Sequence, residues 1–115
     1  MSEVLRRLDA VIAERLGHAD PSASYVASLH HGGLDRILKK IGEESGETLI
    51  AAKNAAQQGE RAALVHETAD LWFHCMVMLA EFELSSNDVI EELERRFALS
   101  GLEEKAARGA TPDVD

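Results

Sequence analysis

The segment at residues 39–47 constrains the fold more than any other part of this 115-residue chain. It carries three glutamates, Glu43, Glu44 and Glu47, among apolar residues that recur at helical spacing. That spacing predicts one helix running through the segment. The apolar positions are Leu34, Ile37, Leu38, Ile41, Leu49 and Ala52. Because positions three or four apart are neighbours on a helix, we expect the three carboxylates to share one region of its surface.

A second acidic pair, Glu67 and Asp70, lies in another helical pattern. Asp70 leads directly into the apolar run 71–79, which predicts a buried helix. A carboxylate at the mouth of a buried helix is costly unless it is paired or bound to a metal. Two helices that each offer a carboxylate pair can build an oxygen cage for Mg²⁺ or Mn²⁺. The two pairs together favour a metal site over a solvated acidic face.

Cationic and amide side chains flank the first carboxylate pair by one to two helical turns: Lys39, Lys40, Lys53 and Asn54. A lysine beside carboxylates that hold Mg²⁺ is a usual arrangement for binding a polyphosphate. Ion pairs between positions i and i+4 on a solvated helix face would explain the lysines equally well. The same two interpretations apply to the cations near the C-terminal end, which are Arg95, Arg96, Lys105 and Arg108.

The histidines and large aromatic residues have structural interpretations beside the functional ones. His74 follows Asp70 by one turn and is more typical of a hydrogen-bonded core histidine than of a metal ligand. His30 and His31 precede a glycine pair and could contact a substrate or lie in an exposed loop. Tyr25 and Trp72 are expected to pack rather than to stack on a base.

The apolar pattern predicts an all-α bundle of about four main helices. They are expected at residues 4–16, 34–57, 60–82 and 89–99, with a short helix at 24–30 and another after Ser100-Gly101. We expect one domain over residues 1–108 and a flexible tail at 109–115. A chain of this size covers one side of the apolar helix more easily than all sides, so we expect a homodimer. The alternative is that the first helix wraps the open side.

Charge and the missing signal region narrow the class of partner. The net charge of −9 argues against a nucleic acid or an anionic membrane as the main partner. The single cysteine, Cys75, lies in the apolar run and is expected to be a core thiol. The N-terminal residues include no apolar signal region, and no apolar run reaches membrane-spanning length. A cytoplasmic protein is the expectation.

The motif Glu43-Glu44-x-x-Glu47 … Glu67-x-x-Asp70 resembles the signature of the all-α nucleoside triphosphate pyrophosphohydrolases, the MazG-like superfamily. Further blocks are similar to the phosphoribosyl-ATP pyrophosphohydrolase family of histidine biosynthesis. These blocks are Ser24-Tyr25, Gly33-Leu34-Asp35-Arg36-Ile37-Leu38-Lys39-Lys40-Ile41-Gly42-Glu43-Glu44, Ala51-Ala52-Lys53-Asn54, and Ser100-Gly101-Leu102-Glu103-Glu104-Lys105. The similarity covers about residues 5–108. Ser45-Gly46 departs from the alanine that is commoner after the paired glutamates.

This resemblance implies a Mg²⁺-dependent, dimeric enzyme that hydrolyses phosphoribosyl-ATP to phosphoribosyl-AMP and pyrophosphate. It implies catalytic roles for Glu43, Glu44 and Glu47, with Glu43 orienting or deprotonating the attacking water or serving as a further ligand. The implied metal ligands are Glu44, Glu47, Glu67 and Asp70. The implied substrate-binding residues are Lys39, Lys40, Lys53, Asn54, Arg95 and Lys105.

Three other functions remain compatible with the residues. A housekeeping pyrophosphohydrolase that acts on free or damaged nucleotides would share the carboxylates. A non-enzymatic helical interaction module would share the apolar pattern without a metal-linked rise in melting temperature. A metal-binding regulatory protein would bind Mg²⁺ or Mn²⁺ without releasing pyrophosphate.

Overall fold

The computed structural model describes residues 3–106, and side chains over residues 3–98. Within these residues, five helices follow one another: α1 (Glu3–Leu16), α2 (Tyr25–Gly32), α3 (Leu34–Gln58), α4 (Ala62–Glu81) and α5 (Ser86–Ala106). No strand occurs within residues 3–106. The all-α prediction is confirmed, with four helices of 14 to 25 residues and one of eight. The tail that was expected at 109–115 lies outside the described residues.

Local sequence signals explain the ends of α2 and α3. The Ser24 hydroxyl caps α2 by accepting a hydrogen bond from the Ala27 amide at 3.0 Å. Gly33 (φ 95°) ends α2, and Gly59 (φ 76°) ends α3 in the left-handed conformation that favours glycine. The short turn after Gly59 lets α4 fold back along α3. We call this pair the α3–α4 hairpin.

The hydrophobic core joins the first four helices. Its buried members are Ile12, Val26, Leu29, Ile37, Met76 and Val77. They come from α1, α2, α3 and α4, so the core holds the α3–α4 hairpin against the two preceding helices. Within the described residues, no helix has the length and apolar character that a bilayer crossing requires.

In the single chain, the helix over the apolar run is buried on one side only, in agreement with the expectation that one chain covers one side of this helix more easily than all sides. Val77 is fully buried on α4, whereas Trp72 is 59 % exposed. Helix α1 packs against α4 but leaves this side open. Trp72 was expected to pack, and within the single chain most of its surface has no packing partner. Further apolar side chains on the hairpin are also exposed, among them Leu49, Ile50 and Val65.

Helix α5 continues where the sequence predicted a break. Ser100-Gly101 was expected to end the helix, yet α5 runs to Ala106 without interruption. One glycine inside a helix costs about 1 kcal/mol relative to alanine, and the strong helix formers on both sides can offset that cost. The N-terminal end of α5 is fixed to α1, because the Ser86 amide donates to the Asp9 carboxylate at 3.1 Å and the Ser86 hydroxyl donates to the same group.

Candidate functional site

The α3–α4 hairpin brings the two predicted acidic motifs together. Glu44 and Glu47 of α3 and Glu67 of α4 each offer a carboxylate oxygen, and these oxygens all lie within 4.8 Å of one another. We call these three residues the carboxylate cluster. Glu44 is its most buried member, with 6 % of its surface exposed. Helical spacing aligns the two α3 residues, and the packing of α4 on α3 adds the third.

Two oxygens of the carboxylate cluster are buried and have no hydrogen-bond partner: Glu44 Oε2 and Glu67 Oε2. Leaving a buried polar group unsatisfied costs about 1–3 kcal/mol, and more when the group is charged. Hard divalent cations bind carboxylate oxygens, so the donor set fits Mg²⁺ or Mn²⁺. The unpartnered oxygens are where such an ion would find its ligands.

The ionisation of the cluster supports the same conclusion. Burial raises the pKa of Glu44, and its neighbour Glu47 raises it further as a hydrogen-bond partner and a like charge. The pKa of Glu67 is raised first by its hydrogen bond to Glu47 and then by burial. These carboxylates therefore bind protons more tightly than isolated ones unless a cation replaces the protons.

Lys40 is the cation that the structure places nearest to the cluster. Its ammonium lies 3.5 Å from Glu43 Oε2 and 3.6 Å from Glu44 Oε1. The pKa of Lys40 is raised by the Tyr25 phenol oxygen and also by these two glutamates. Glu43 itself has a side chain that is 45 % exposed. It therefore lies at the solvent side of the cluster, where water can reach it.

Side chains also fix the backbone of α4 at Glu67 and at Asp70. The Thr48 hydroxyl lies within hydrogen-bond distance of the Glu44 carbonyl, at 2.8 Å, and of the Glu67 carbonyl on α4, at 3.2 Å. His74 Nδ1 donates to the Asp70 carbonyl at 2.7 Å. The cross-helix contact of Thr48 was missed, because a threonine inside a helix is also typical of a hydroxyl that bonds only within its own helix.

His74 is buried, and both of its ring nitrogens have partners. Since Nδ1 donates to a carbonyl, Nε2 accepts from the Tyr25 hydroxyl at 2.8 Å. The prediction of a hydrogen-bonded core histidine is confirmed. Tyr25 packs its ring on Phe73 while remaining 46 % exposed. His30 instead forms an ion pair with Glu81 at 2.6 Å.

The other predicted binding residues are spread more widely. Lys39, Lys53 and Asn54 are exposed on α3. Arg95 lies on α5, whose contacts are mainly with α1, and it donates to both oxygens of Glu92 at 2.9 and 2.6 Å. The chain taken singly does not place Arg95 beside the carboxylate cluster. The side chain of Lys105 lies outside the described residues.

One residue near the cluster was not selected from the sequence. His66 lies one turn before Asp70, and its Nε2 is 3.4 Å from Asp70 Oδ2. Ligand atoms of His66, Glu67 and Asp70 all lie within 4.8 Å of one another. The available signal was the spacing of four residues between His66 and Asp70, which places both on one side of α4.

The described residues form an all-α fold in which glutamates from α3 and α4 converge. This is the arrangement expected of the class that the paired motif resembles, the all-α nucleoside triphosphate pyrophosphohydrolases. The family model described as phosphoribosyl-ATP pyrophosphohydrolase matches residues 5–97. The chain belongs to that family, and the resemblance is confirmed.

Relatives from two Burkholderia species are similar over nearly the whole chain. A phosphoribosyl-ATP pyrophosphatase of Burkholderia cenocepacia (strain HI2424) is 59 % identical over 106 residues, which is 92 % of this chain and 87 % of the relative. A phosphoribosyl-ATP pyrophosphatase of Burkholderia vietnamiensis (strain G4 / LMG 22486) has the same identity and coverage.

Proposed function

We infer that this chain hydrolyses phosphoribosyl-ATP to phosphoribosyl-AMP and pyrophosphate, the second step of histidine biosynthesis. Its family and the 59 % identity to relatives of that name support this activity. The single structural observation that carries the inference is the carboxylate cluster with its two unpartnered buried oxygens. A phosphoanhydride hydrolase needs a site of this kind, because its substrate carries several negative charges.

The proposed cofactor is Mg²⁺, with Mn²⁺ as an alternative, and the proposed ligands are Glu44, Glu47, Glu67 and Asp70. When bound, the ion supplies charge neutralisation at phosphate oxygens and increases the acidity of water. Glu44 and Glu47 come from α3, and Glu67 and Asp70 come from α4. The rigid packing of the two helices holds these side chains in place before the substrate arrives, which lowers the reorganisation needed during reaction.

The catalytic roles proposed for this chain's residues follow from their exposure. Glu43 orients the attacking water and accepts its proton as the water oxygen bonds to phosphorus and the phosphoanhydride bond breaks. Lys40 lies beside Glu43 and balances charge at the same place. Pyrophosphate leaves with the bridging oxygen. The residues proposed to bind substrate are Lys39, Lys40, Lys53, Asn54, Arg95 and Lys105.

We also propose that two copies of the chain associate through the open side of α4. Trp72 is 59 % exposed, and Leu49 and Val65 are more than two-thirds exposed on the α3–α4 hairpin. Exposed apolar groups of this size are typical of a covered interface. Sedimentation equilibrium should give a dimer for the wild type and a monomer for Trp72→Asp; a monomeric wild type would contradict the proposal.

The proposed catalytic domain is residues 1–108, with 109–115 as a tail, and the proposed location is the cytoplasm. The decisive test is pyrophosphate release from phosphoribosyl-ATP with Mg²⁺, then with EDTA, beside dUTP, dCTP and ordinary nucleoside triphosphates. We expect release from phosphoribosyl-ATP that EDTA abolishes. Release from the other nucleotides instead would assign a housekeeping activity, and no release would leave a non-enzymatic protein.

A further inference from the structure

His66 lies beside the carboxylate cluster and is not among the proposed ligands. Its ring is joined to Asp70 over 3.4 Å, and its ligand atoms lie within 4.8 Å of those of Glu67 and Asp70. Glu67 also belongs to the carboxylate cluster, so the two groups share one residue. His66 is therefore next to the proposed metal site rather than at an unrelated part of the surface.

A simple ion pair on a helix surface would explain the contact between His66 and Asp70, because the His66 side chain is 71 % exposed. A second observation points to a ligand. Glu67 belongs both to the carboxylate cluster and to the group that contains His66. In the carboxylate cluster, Glu44 is only 6 % exposed, and its Oε2 has no hydrogen-bond partner. The shared residue also has a buried oxygen without a partner. Ion pairing of His66 satisfies neither oxygen.

The separations suit one shared ion. Ligands at about 2.1 Å from an octahedral ion lie about 3 Å apart when adjacent and about 4.2 Å apart when opposite. The 3.4 Å between His66 Nε2 and Asp70 Oδ2 is close to the separation of adjacent ligands. Rotation of the exposed His66 side chain is enough to complete the adjustment.

We propose that His66 contributes a nitrogen ligand to the metal site, together with Glu67 and Asp70, which raises the affinity of the Mg²⁺ site for first-row transition-metal ions such as Mn²⁺ and Co²⁺. This inference rests on the carboxylate metal site of the proposed function. Imidazole nitrogen binds transition-metal ions, whereas Mg²⁺ prefers oxygen ligands and retained water. Removal of His66 should therefore weaken Co²⁺ binding more than Mg²⁺ binding.

Electron spin echo spectroscopy of the Mn²⁺-bound protein at about pH 8 tests the nitrogen ligand directly, since a coordinated imidazole gives ¹⁴N modulation. Metal ions bind the neutral form of imidazole, which the alkaline pH favours. We expect the modulation in the wild type and its loss in His66→Ala. Calorimetric titration should show the Kd for Co²⁺ rising about tenfold in His66→Ala and the Kd for Mg²⁺ rising less than about threefold.

The matched control is His18→Ala. His18 pairs with Glu14 over 2.9 Å at a spacing of four residues, as His66 pairs with Asp70, but it lies outside both ligand groups. His18→Ala should keep the ¹⁴N modulation and the wild-type Kd values. Because the His66 side chain is exposed, we expect His66→Ala to keep the fold, and far-ultraviolet circular dichroism checks that it does.

The outcomes separate this inference from the proposed function. Mn²⁺ binding without ¹⁴N modulation in the wild type would overturn the role of His66 and leave the carboxylate site in place. Modulation that persists in His66→Ala would assign the nitrogen to another residue and overturn it as well. No Mn²⁺ or Mg²⁺ binding by the wild type would overturn both proposals.

Discussion

Two groups of glutamates in this chain have opposite properties. In the carboxylate cluster of the α3–α4 hairpin, the pKa of Glu44 and that of Glu67 are raised. On α5, hydrogen bonds from Arg95 and Arg96 lower the pKa of Glu92 to about 2. The carboxylate cluster has two buried oxygens without a hydrogen-bond partner, whereas Glu92 accepts hydrogen bonds from two arginines.

The difference shows which level of structure sets each environment. Glu92 obtains its cations from positions three and four along its own helix, so local spacing is sufficient. The carboxylate cluster is assembled by packing one acidic helix on another, which brings like charges together. An acidic residue and a cation three or four positions apart on one helix are neighbours without any tertiary contact. A group of converging acids, with Glu44 buried among them and without a matching number of cations, is typical of a site for an external ion.

The largest expected effect separates the two groups by activity. Glu47→Gln should lower kcat for phosphoribosyl-ATP by about a thousandfold or more, because it removes a charged ligand where phosphate charge is stabilised. Glu92→Gln should leave the Mg²⁺ concentration for half-maximal activity unchanged. Steady-state pyrophosphate release measures both, and near-normal Mg²⁺-dependent turnover of Glu47→Gln would contradict the assignment.

Metal binding should stabilise the folded protein through the carboxylate cluster and not through Glu92. At a Mg²⁺ concentration of about 100 times Kd, the free energy of unfolding should rise by about 2.7 kcal/mol, since the ion binds the folded state. Glu44→Gln should lose most of this rise, whereas Glu92→Gln should keep it. Thermal unfolding with Mg²⁺ and with EDTA gives the comparison; an equal rise in the wild type and Glu44→Gln would exclude Glu44 as a ligand.

The metal-free protein should show the opposite pH dependence in the two regions. A raised pKa means that the folded state holds the Glu44 proton more tightly, so this contribution to stability is present below the usual value of 4.5 and is lost as pH rises through the raised pKa. The contribution of Glu92 is present above its usual value of 4.5 and is lost as pH falls towards about 2.

Glu44→Gln isolates the first of these effects. Without metal, the variant should be more stable than the wild type at neutral pH, by about 1–3 kcal/mol, since it removes a buried carboxylate that faces a like charge on Glu47 and has one oxygen without a hydrogen-bond partner. The advantage should shrink as pH falls towards 4.5. Urea unfolding in EDTA at several pH values measures it, and an advantage that grows at low pH would show that the Glu44 pKa is not raised.

The smallest expected effect concerns the Thr48 hydroxyl, which lies beside the backbone of two residues of the carboxylate cluster. Thr48→Val removes the hydroxyl that lies beside carbonyls on both α3 and α4, so the free energy of unfolding should fall by about 1 kcal/mol and the Kd for Mg²⁺ should rise a few-fold. Thr68→Val is the matched control, because the Thr68 hydroxyl donates only to Leu64 within α4, at 2.7 Å. Equal Mg²⁺ affinity in both variants would exclude positioning by Thr48.

Periodicity predicted the helices and the acidic pairs because both depend on neighbours along the chain. The spacing of Glu44 and Glu47 was enough to place them on one side of α3, and the glycines at 33 and 59 were enough to separate the helices. The continuation of α5 through Gly101 was not predictable in the same way, since one unfavourable residue was judged without the helix formers beyond it.

The apolar periodicity of the sequence did not predict the contacts between helices. The Thr48 hydroxyl bonds across to Glu67, and His66 lies close to Glu67 and Asp70 on α4, but neither contact is encoded in a motif that is specific to one structure. The exposure of Trp72 also could not be derived, because an apolar run predicts burial without saying whether one chain or two provides it. Packing therefore supplied what periodicity could not.

The α3–α4 hairpin has a consequence for the order of folding. The acidic residues that form the site lie between residues 43 and 70, on two helices joined by a short turn. Contacts that are this close in sequence form with little loss of loop entropy and therefore form early. A divalent cation at the proposed site would therefore need only the α3–α4 hairpin, so it could bind before α5 is complete.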